Sequence, residues 1–248
     1  MEGIRGRHRI DHNVSTRLLR TLLDLRRRCL ERAVSQFLTP NVDVVNHPDG
    51  HVLVVGDVAV EPSANDAVVP AGAAQATFLL ADLGYTCSLT GFVGSDEAGV
   101  ALLRSLQARA ISTDILAVPQ WPTYVVSSQS AVTNQEAAGE APEQQRVLPF
   151  NGMSEYQAHL QNRVERGVRN ASRLVVVDQG YGSVGDPPAT VFAAAQHQIP
   201  SLVLCAPHQA RHYIKASRVV EVGPTVTSQE LVQWLRESEP GFNGPPVH

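Results

Sequence analysis

Apolar and polar positions change their period several times along the chain, and each change marks an element. Between Leu18 and Phe37 apolar residues recur at steps of three and four. Leu18, Leu22, Leu25, Cys29 and Ala33 form a stripe, widened by Leu19, Leu23, Leu30, Val34 and Phe37, which is the pattern of an amphipathic helix that packs on something. After Thr39-Pro40 and the turn at His47-Pro48-Asp49-Gly50, residues 51–55 are an apolar, mostly β-branched run ending at Gly56-Asp57, which reads as a strand. A small-residue turn at 71–74 then feeds a helix over 75–83, which Gly84 ends. The pattern continues as strand 86–92, helix 98–108, strand 115–118 and strand 122–132, followed by a polar loop or flap over 134–145. Beyond it come helix 154–170, strand 174–177, helix 188–198, strand 201–205, a short helix at 209–215, strand 218–222 and helix 228–237.

Short apolar strands that alternate with helices imply a parallel sheet covered on both faces. The expected fold class is therefore α/β, a three-layer α/β/α sandwich with a mostly parallel sheet, preceded by an amphipathic helix. The boundaries follow: an arginine-rich helical arm over 1–45, an α/β domain over 46–238, and a loose tail over 239–248 that carries three prolines and two glycines.

Composition narrows the class. The chain has 248 residues, 43% of them hydrophobic, enough for one full core. No run reaches the roughly 18 apolar residues of a membrane span, and the N-terminus has no apolar signal segment, so a cytoplasmic, non-membrane protein is expected. Cys29, Cys87 and Cys205 are odd in number and widely spaced, the usage of buried reduced thiols rather than of a zinc site or disulfide framework. Charge is uneven: residues 1–40 hold nine Arg and four acids, a net of +5, against −4 for the whole chain. The apolar stripe assigns this arm to packing within the molecule, in a homodimer or on a partner protein. Arg26-Arg27-Arg28, with no aromatic interleaving and no recognition module, argues little for nucleic acid.

The most telling stretch is Pro70-Ala-Gly-Ala-Ala-Gln-Ala at the start of one helix, followed by Gly91-Phe92-Val93-Gly94-Ser95-Asp96-Glu97-Ala98-Gly99 at the start of the next. It resembles the sugar-binding segment of the ribokinase-like (PfkB) carbohydrate kinases, which read Gly-Gly-Ala-Ala-Asn-Val-Ala before the helix and Val-Gly-x-Asp-x-x-Gly after the strand. Three further segments in the right order resemble the heptose-phosphate kinase branch. Val54-Val55-Gly56-Asp57-Val58 is similar to its opening strand, and Arg173-Leu174-Val175-Val176-Val177-Asp178-Gln179-Gly180-Tyr181-Gly182 to its Ser-Asp-Tyr-Gly-Lys-Gly strand and turn. The stretch from Ile199 to His208, with His212-Tyr213 and Lys215-Ala216-Ser217, is similar to its Asp-Pro-Lys and Arg-Tyr-x-x-Ala segments.

The resemblance implies a ribokinase-like fold and a sugar or nucleoside ligand held at Asp57, Glu61, Gly72, Gln75 and Asp178. The departures fall on the chemistry. Glu61 stands for the family's sugar-binding Asp, Ala71 for the first Gly of the double-Gly turn, Gln75 for its Asn, and Tyr181 for the Lys of Tyr-Gly-Lys-Gly. Only ten residues separate Glu61 from Gly72, too few for the β-stranded lid of the heptose branch. The family transfers the γ-phosphoryl group of ATP with a Gly-Ala-Gly-Asp turn, whose N–H groups hold negative charge and whose Asp accepts the hydroxyl proton. No Gly-x-Gly-Asp stands in the C-terminal half, and the magnesium-organising Asn-x-x-Glu matches only Thr225-Val226-Thr227-Ser228, with Glu230 displaced by two.

Three functions fit. The leading one is a degenerate carbohydrate-kinase-like protein without phosphotransferase activity, which binds a sugar, nucleoside or protein partner as a structural or regulatory component and needs no cofactor. The second is an active heptose-like sugar or nucleoside kinase completed by another chain, which would use ATP and Mg. The third is a repurposed, ATP-independent enzyme of specialised metabolism that works with Asp57, Glu61 and Asp178. His208 and His212, four apart, could join Asp178 around a metal, but two histidines without a carboxylate in the same motif are more often surface residues, and no metal is expected. No Gly-x-Ser-x-Gly elbow supports a hydrolase.

Overall fold

The computed structural model describes residues 50–62, 68–119, 121–126, 153–223, 226 and 228–238. The arm over 1–45, the polar stretch over 134–145 and the tail over 239–248 lie outside these. Eight strands form one sheet: β1 (His51–Pro62), β2 (Val68–Gly72), β3 (Thr86–Gly94), β4 (Ser112–Val118), β5 (Tyr124–Val125), β6 (Arg173–Asp178), β7 (Ser201–Cys205) and β8 (Arg218–Glu221). The helices are α1 (Ala73–Asp82), α2 (Glu97–Ala108), α3 (Met153–Arg169), α4 (Pro187–Gln196) and α5 (Ser228–Glu237), with a 3₁₀ turn at Ala210–His212.

The main path runs β4-β3-β1-β6-β7-β8, and every neighbouring pair along it is parallel. Val52, Val54, Val175, Val177, Leu202 and Leu204 meet Leu80 of α1, Leu103 of α2 and Trp234 of α5 on one face. Leu53, Val55, Val176 and Val203 meet Val164 and Val168 of α3 and Val191 of α4 on the other. Alternate residues of one strand thus enter opposite cores, as a period of two requires. The result is the expected three-layer α/β/α sandwich with a mostly parallel sheet.

Two features differ from the sequence expectation. The first strand does not stop at Val55 but runs on to Pro62, and Val68–Gly72, expected as a turn, forms β2 antiparallel to it with Ala59 opposite Ala71 and Glu61 opposite Val69. β5 lies on the other side of this extension, parallel to it at Ala59–Tyr124 and Val60–Val125. Small residues hid the strand, since Pro70-Ala71-Gly72 carries turn chemistry while its pairing is supplied by a neighbour distant from any local signal. The short helix expected over 209–215 contracts to the single 3₁₀ turn.

Local signals explain the ends that agree with expectation. Gly84, at φ +89°, terminates α1, and the N–H of Gly84 and of Tyr85 cap carbonyls of its last turn. Asp186 caps α4, accepting from the Ala189 N–H at 2.9 Å with Pro187 in the first turn. Among the described residues no helix is long and apolar enough to cross a membrane.

Candidate functional site

From β1 the chain moves outward one way, to β3 and β4, and later the other way, from β6 to β7 and β8. The order therefore reverses between β1 and β6, and open α/β sheets place their ligand crevice at the carboxyl ends of the strands flanking such a switch. β1 and β6 are in register from Val52–Arg173 to Gly56–Val177. The next residues are Asp57 and Asp178, both buried, at 0% and 3% exposure.

Asp57 has its carboxylate engaged by the loop that follows β6. It accepts from the backbone N–H of Gln179 at 2.7 Å, of Tyr181 at 3.2 Å and of Ser183 at 3.2 Å. Alternate N–H groups of one loop thus close on one side chain, and the loop takes its path from Asp57. Gly180 and Gly182, at φ +82° and +93°, supply the left-handed turns this path needs. Burial, with Asp178 beside it adding like-charge repulsion, pushes the Asp57 pKa up to about 7; hydrogen bonds from this loop offset part of the rise. Asp178 is also pushed up, first by burial; its hydrogen bonds, 2.7 Å from the Tyr213 hydroxyl and 2.9 Å from the Gly180 N–H, pull the other way, as do His208 and His212. Burial and the same carboxylate hold the Tyr213 phenol well above its ordinary range.

The remaining expected site residues separate. Gly72 joins the crevice: at φ +58° it starts α1, and a Cβ there would stand 2.4 Å from the Asp57 carbonyl oxygen, so a side chain is excluded by backbone. Gln75, in the first turn of α1, turns its Oε1 to the Val226 N–H at 3.1 Å and so links this turn to the chain just before α5. Glu61 is half-buried and lies four residues beyond Asp57, about 13 Å along the strand at an ordinary strand rise. Asp57, Asp178 and Gly72 thus form one group, with Glu61 on the β1–β2 extension and Gln75 engaged in packing.

Two groups escaped the sequence reading. Phe92, Trp121, Tyr124 and Tyr181 make an aromatic cluster beside Ala59 and Ala71. Tyr181 stacks on Tyr124 with ring centroids 4.2 Å apart, Trp121 meets Phe92 and Tyr124 edge-on, and the Tyr124 hydroxyl donates to the Tyr181 carbonyl at 3.0 Å. The position that carries Lys in the resembled motif is here within a hydrophobic wall. The second group is built by Asp96, which caps α2 through the Gly99 N–H at 2.8 Å and also accepts from the Thr123 N–H and hydroxyl at 2.8 and 2.6 Å. The Gly94 N–H donates to the Thr123 hydroxyl at 3.1 Å, and a Cβ at Gly94 would meet the Trp121 carbonyl at 2.5 Å. The Val-Gly-x-Asp-x-x-Gly spacing therefore serves a close crossing of two loops, a signal readable as a helix cap but not as a clamp on a residue 27 positions on.

His208 and Gln209 lie against Gly180, where their side-chain nitrogens come within 2.7 and 2.9 Å of where a Cβ would be. Among the described residues no three His, Cys, Asp or Glu side chains are grouped to hold a metal ion. Cys87 and Cys205 are unbridged and buried, and burial raises both thiols.

No family model matches the chain. It is similar to the bifunctional protein HldE of Pseudomonas entomophila, 31% identical over 170 residues that cover 61% of this chain and 34% of that protein. HldE of Actinobacillus succinogenes is 27% identical over 175 residues, 63% of this chain and 35% of that one. The chain thus spans about a third of the length of the curated relatives it matches. Among solved structures, the possible 1-phosphofructokinase of Thermotoga maritima is 15% identical, with 75% of this chain and 69% of that one covered at a TM-score of 0.47. These relatives bear out the resemblance to carbohydrate kinases; the layer and strand order above describe the fold.

Proposed function

We propose that this ribokinase-like chain is a degenerate member of the carbohydrate-kinase kind that binds a sugar or nucleoside at the β1–β6 switch point without transferring phosphoryl groups, as a structural or regulatory component. One observation carries this. The two carboxylates at the switch point are already engaged, Asp57 by three loop N–H groups and Asp178 by Tyr213 and Gly180. A general base must be within reach of the proton it takes and have an oxygen to receive it. Buried carboxyls tied to their own loop shape a cleft instead.

The chemistry around them agrees. Tyr181, in the place of the resembled Lys, is stacked and 7% exposed, and brings no positive charge to a phosphate. The 248 residues contain no Gly-x-Gly-Asp turn in their C-terminal half and a single lysine, Lys215, whose ammonium lies 5.9 Å over the Phe192 ring. Phosphoryl transfer needs metal, anion-holding donors and base together. The described residues do not fit a magnesium nucleotide, and no step through one is derived. A ligand would lie between Asp57, Gly72 and Asp178, with Gln75 and Glu61 at the margins. The test is a thermal-shift screen of the whole chain with sugars, sugar phosphates, nucleosides and ATP analogues, since a ligand of the folded state raises the melting point by mass action. A shift with a sugar or nucleoside and none with ATP analogues is expected; a shift with ATP analogues alone would replace this reading.

A further inference from the structure

Among the described residues, four buried side-chain atoms have no hydrogen-bond partner: Ser95 Oγ, Trp121 Nε1, Gln179 Nε2 and Ser183 Oγ. Their places are not scattered. Ser95 lies between β3 and α2, Trp121 between β4 and β5, and Gln179 and Ser183 between β6 and α4. All four are in loops at the carboxyl ends of the strands, around the switch point, and none is in the two helix-covered cores or at the opposite end of the sheet. A buried donor left unpaired costs roughly 1–3 kcal/mol, and native interiors leave few. A concentration of such groups at the end where α/β sheets bind ligands has a direct explanation in a ligand that pairs with them.

Their chemistry limits that ligand. The indole Nε1 and the amide Nε2 can only donate, so what faces them must accept. Asp57 and Asp178 lie beside the same loop, and no Lys or Arg among the described residues bonds to either carboxylate or to the four atoms. A phosphate or carboxylate pressed against this wall would add negative charge to two buried acids with no cation to offset it. We propose that Ser95, Trp121, Gln179 and Ser183 are the donor wall of the cleft and hold the uncharged hydroxyl and ring oxygens of a sugar or polyol. The proposal rests on the ligand-binding reading above and adds to it which residues make the contact and which portion of the ligand they meet.

The experiment is a thermal-shift titration of the 248-residue chain with D-ribose, D-mannose and sedoheptulose, on wild type, Gln179→Met and Ser95→Ala. Both substitutions remove a donor at little change of shape and leave backbone N–H groups in place. The variants are expected to melt at or above wild type and to bind the shifting sugar about tenfold more weakly, the worth of one hydrogen bond. If a sugar shifts wild type and both variants equally, ordered water satisfies these donors and the donor wall is wrong while the ligand-binding reading stands. If Gln179→Met melts well below wild type, its amide has a structural duty and the proposal falls. If none of the three sugars shifts wild type, the sugar-binding reading fails and the donor wall with it.

Discussion

Asp57 and Asp178 end neighbouring parallel strands, one residue beyond the Gly56–Val177 pair, with both carboxyls buried and no cation bonded to either among the described residues. The consequence is a dependence of stability on pH with an unusual sign. Asp57 is raised from an ordinary 3.8 to about 7. Between those values the folded chain keeps a proton that the unfolded chain has released, so this group's contribution is present at low pH and is lost as pH rises through about 7. His51, lowered by burial, acts oppositely, since below about 6.5 the unfolded chain binds a proton that the folded one refuses. Comparison with Asp57→Asn isolates the carboxyl. The stability difference, wild type minus variant, should grow by a few kcal/mol at most from about pH 8 to about pH 5 in urea unfolding. A difference constant across that range would place the proton elsewhere.

Asp96 supports a second prediction. Its carboxylate holds the α2 N-terminus and the Thr123 loop at once, so Asp96→Ala should cost about 2–3 kcal/mol, more than a cap alone. Thr123→Val removes only the hydroxyl bonds and should cost about 1 kcal/mol. The double variant should cost less than the sum, because the pair shares one contact. Strict additivity in urea unfolding would mean the clamp is not formed.

Glycine positions give a paired comparison. A Cβ on Gly56 would lie 1.9 Å from the Val177 carbonyl oxygen, in the closest region of the β1–β6 ladder, whereas Gly84 at φ +89° has nothing within 4 Å. Gly84→Ala carries only the strain of a left-handed backbone, about 1 kcal/mol, while Gly56→Ala must push β1 and β6 apart at the centre of the sheet and should cost more than about 4 kcal/mol. Circular dichroism melts of both variants check this. Equal melting points would contradict the packing at the switch point.

These positions mark what could be read from sequence and what could not. The strands over 174–177 and 201–205 and the helices ended by Gly84 and opened near Pro188 carry period, cap and breaker in the local sequence, and they stand within a few residues of expectation. β2 and the long β1 depend on pairing between segments, which no local pattern reports. The site shows the same divide. Asp57, Gly72 and Asp178 are legible because they end strands or start a helix, but spacing could not show that the Asp57 oxygens belong to the 179–183 loop. Tyr181 and Tyr124 are 57 residues apart, and their stacking is purely tertiary.

The functional prediction follows from that loop. The purified chain should show no ATP-dependent phosphorylation of monosaccharides, sugar phosphates or nucleosides in a coupled ADP-release assay. Taking a proton from a hydroxyl would require Asp178 to give up Tyr213 or Gly180, or Asp57 to give up some of its loop bonds, each exposing a buried unpaired group. Asp178→Asn tests the assignment in a form that keeps volume and one acceptor oxygen. If Asp178 is structural, the variant should lose stability by about 1–3 kcal/mol and leave the assay at the same blank level. Turnover by the wild-type chain that vanishes in Asp178→Asn while the melting point holds would make Asp178 a base after all, and the chain an active kinase with a rebuilt phosphate site.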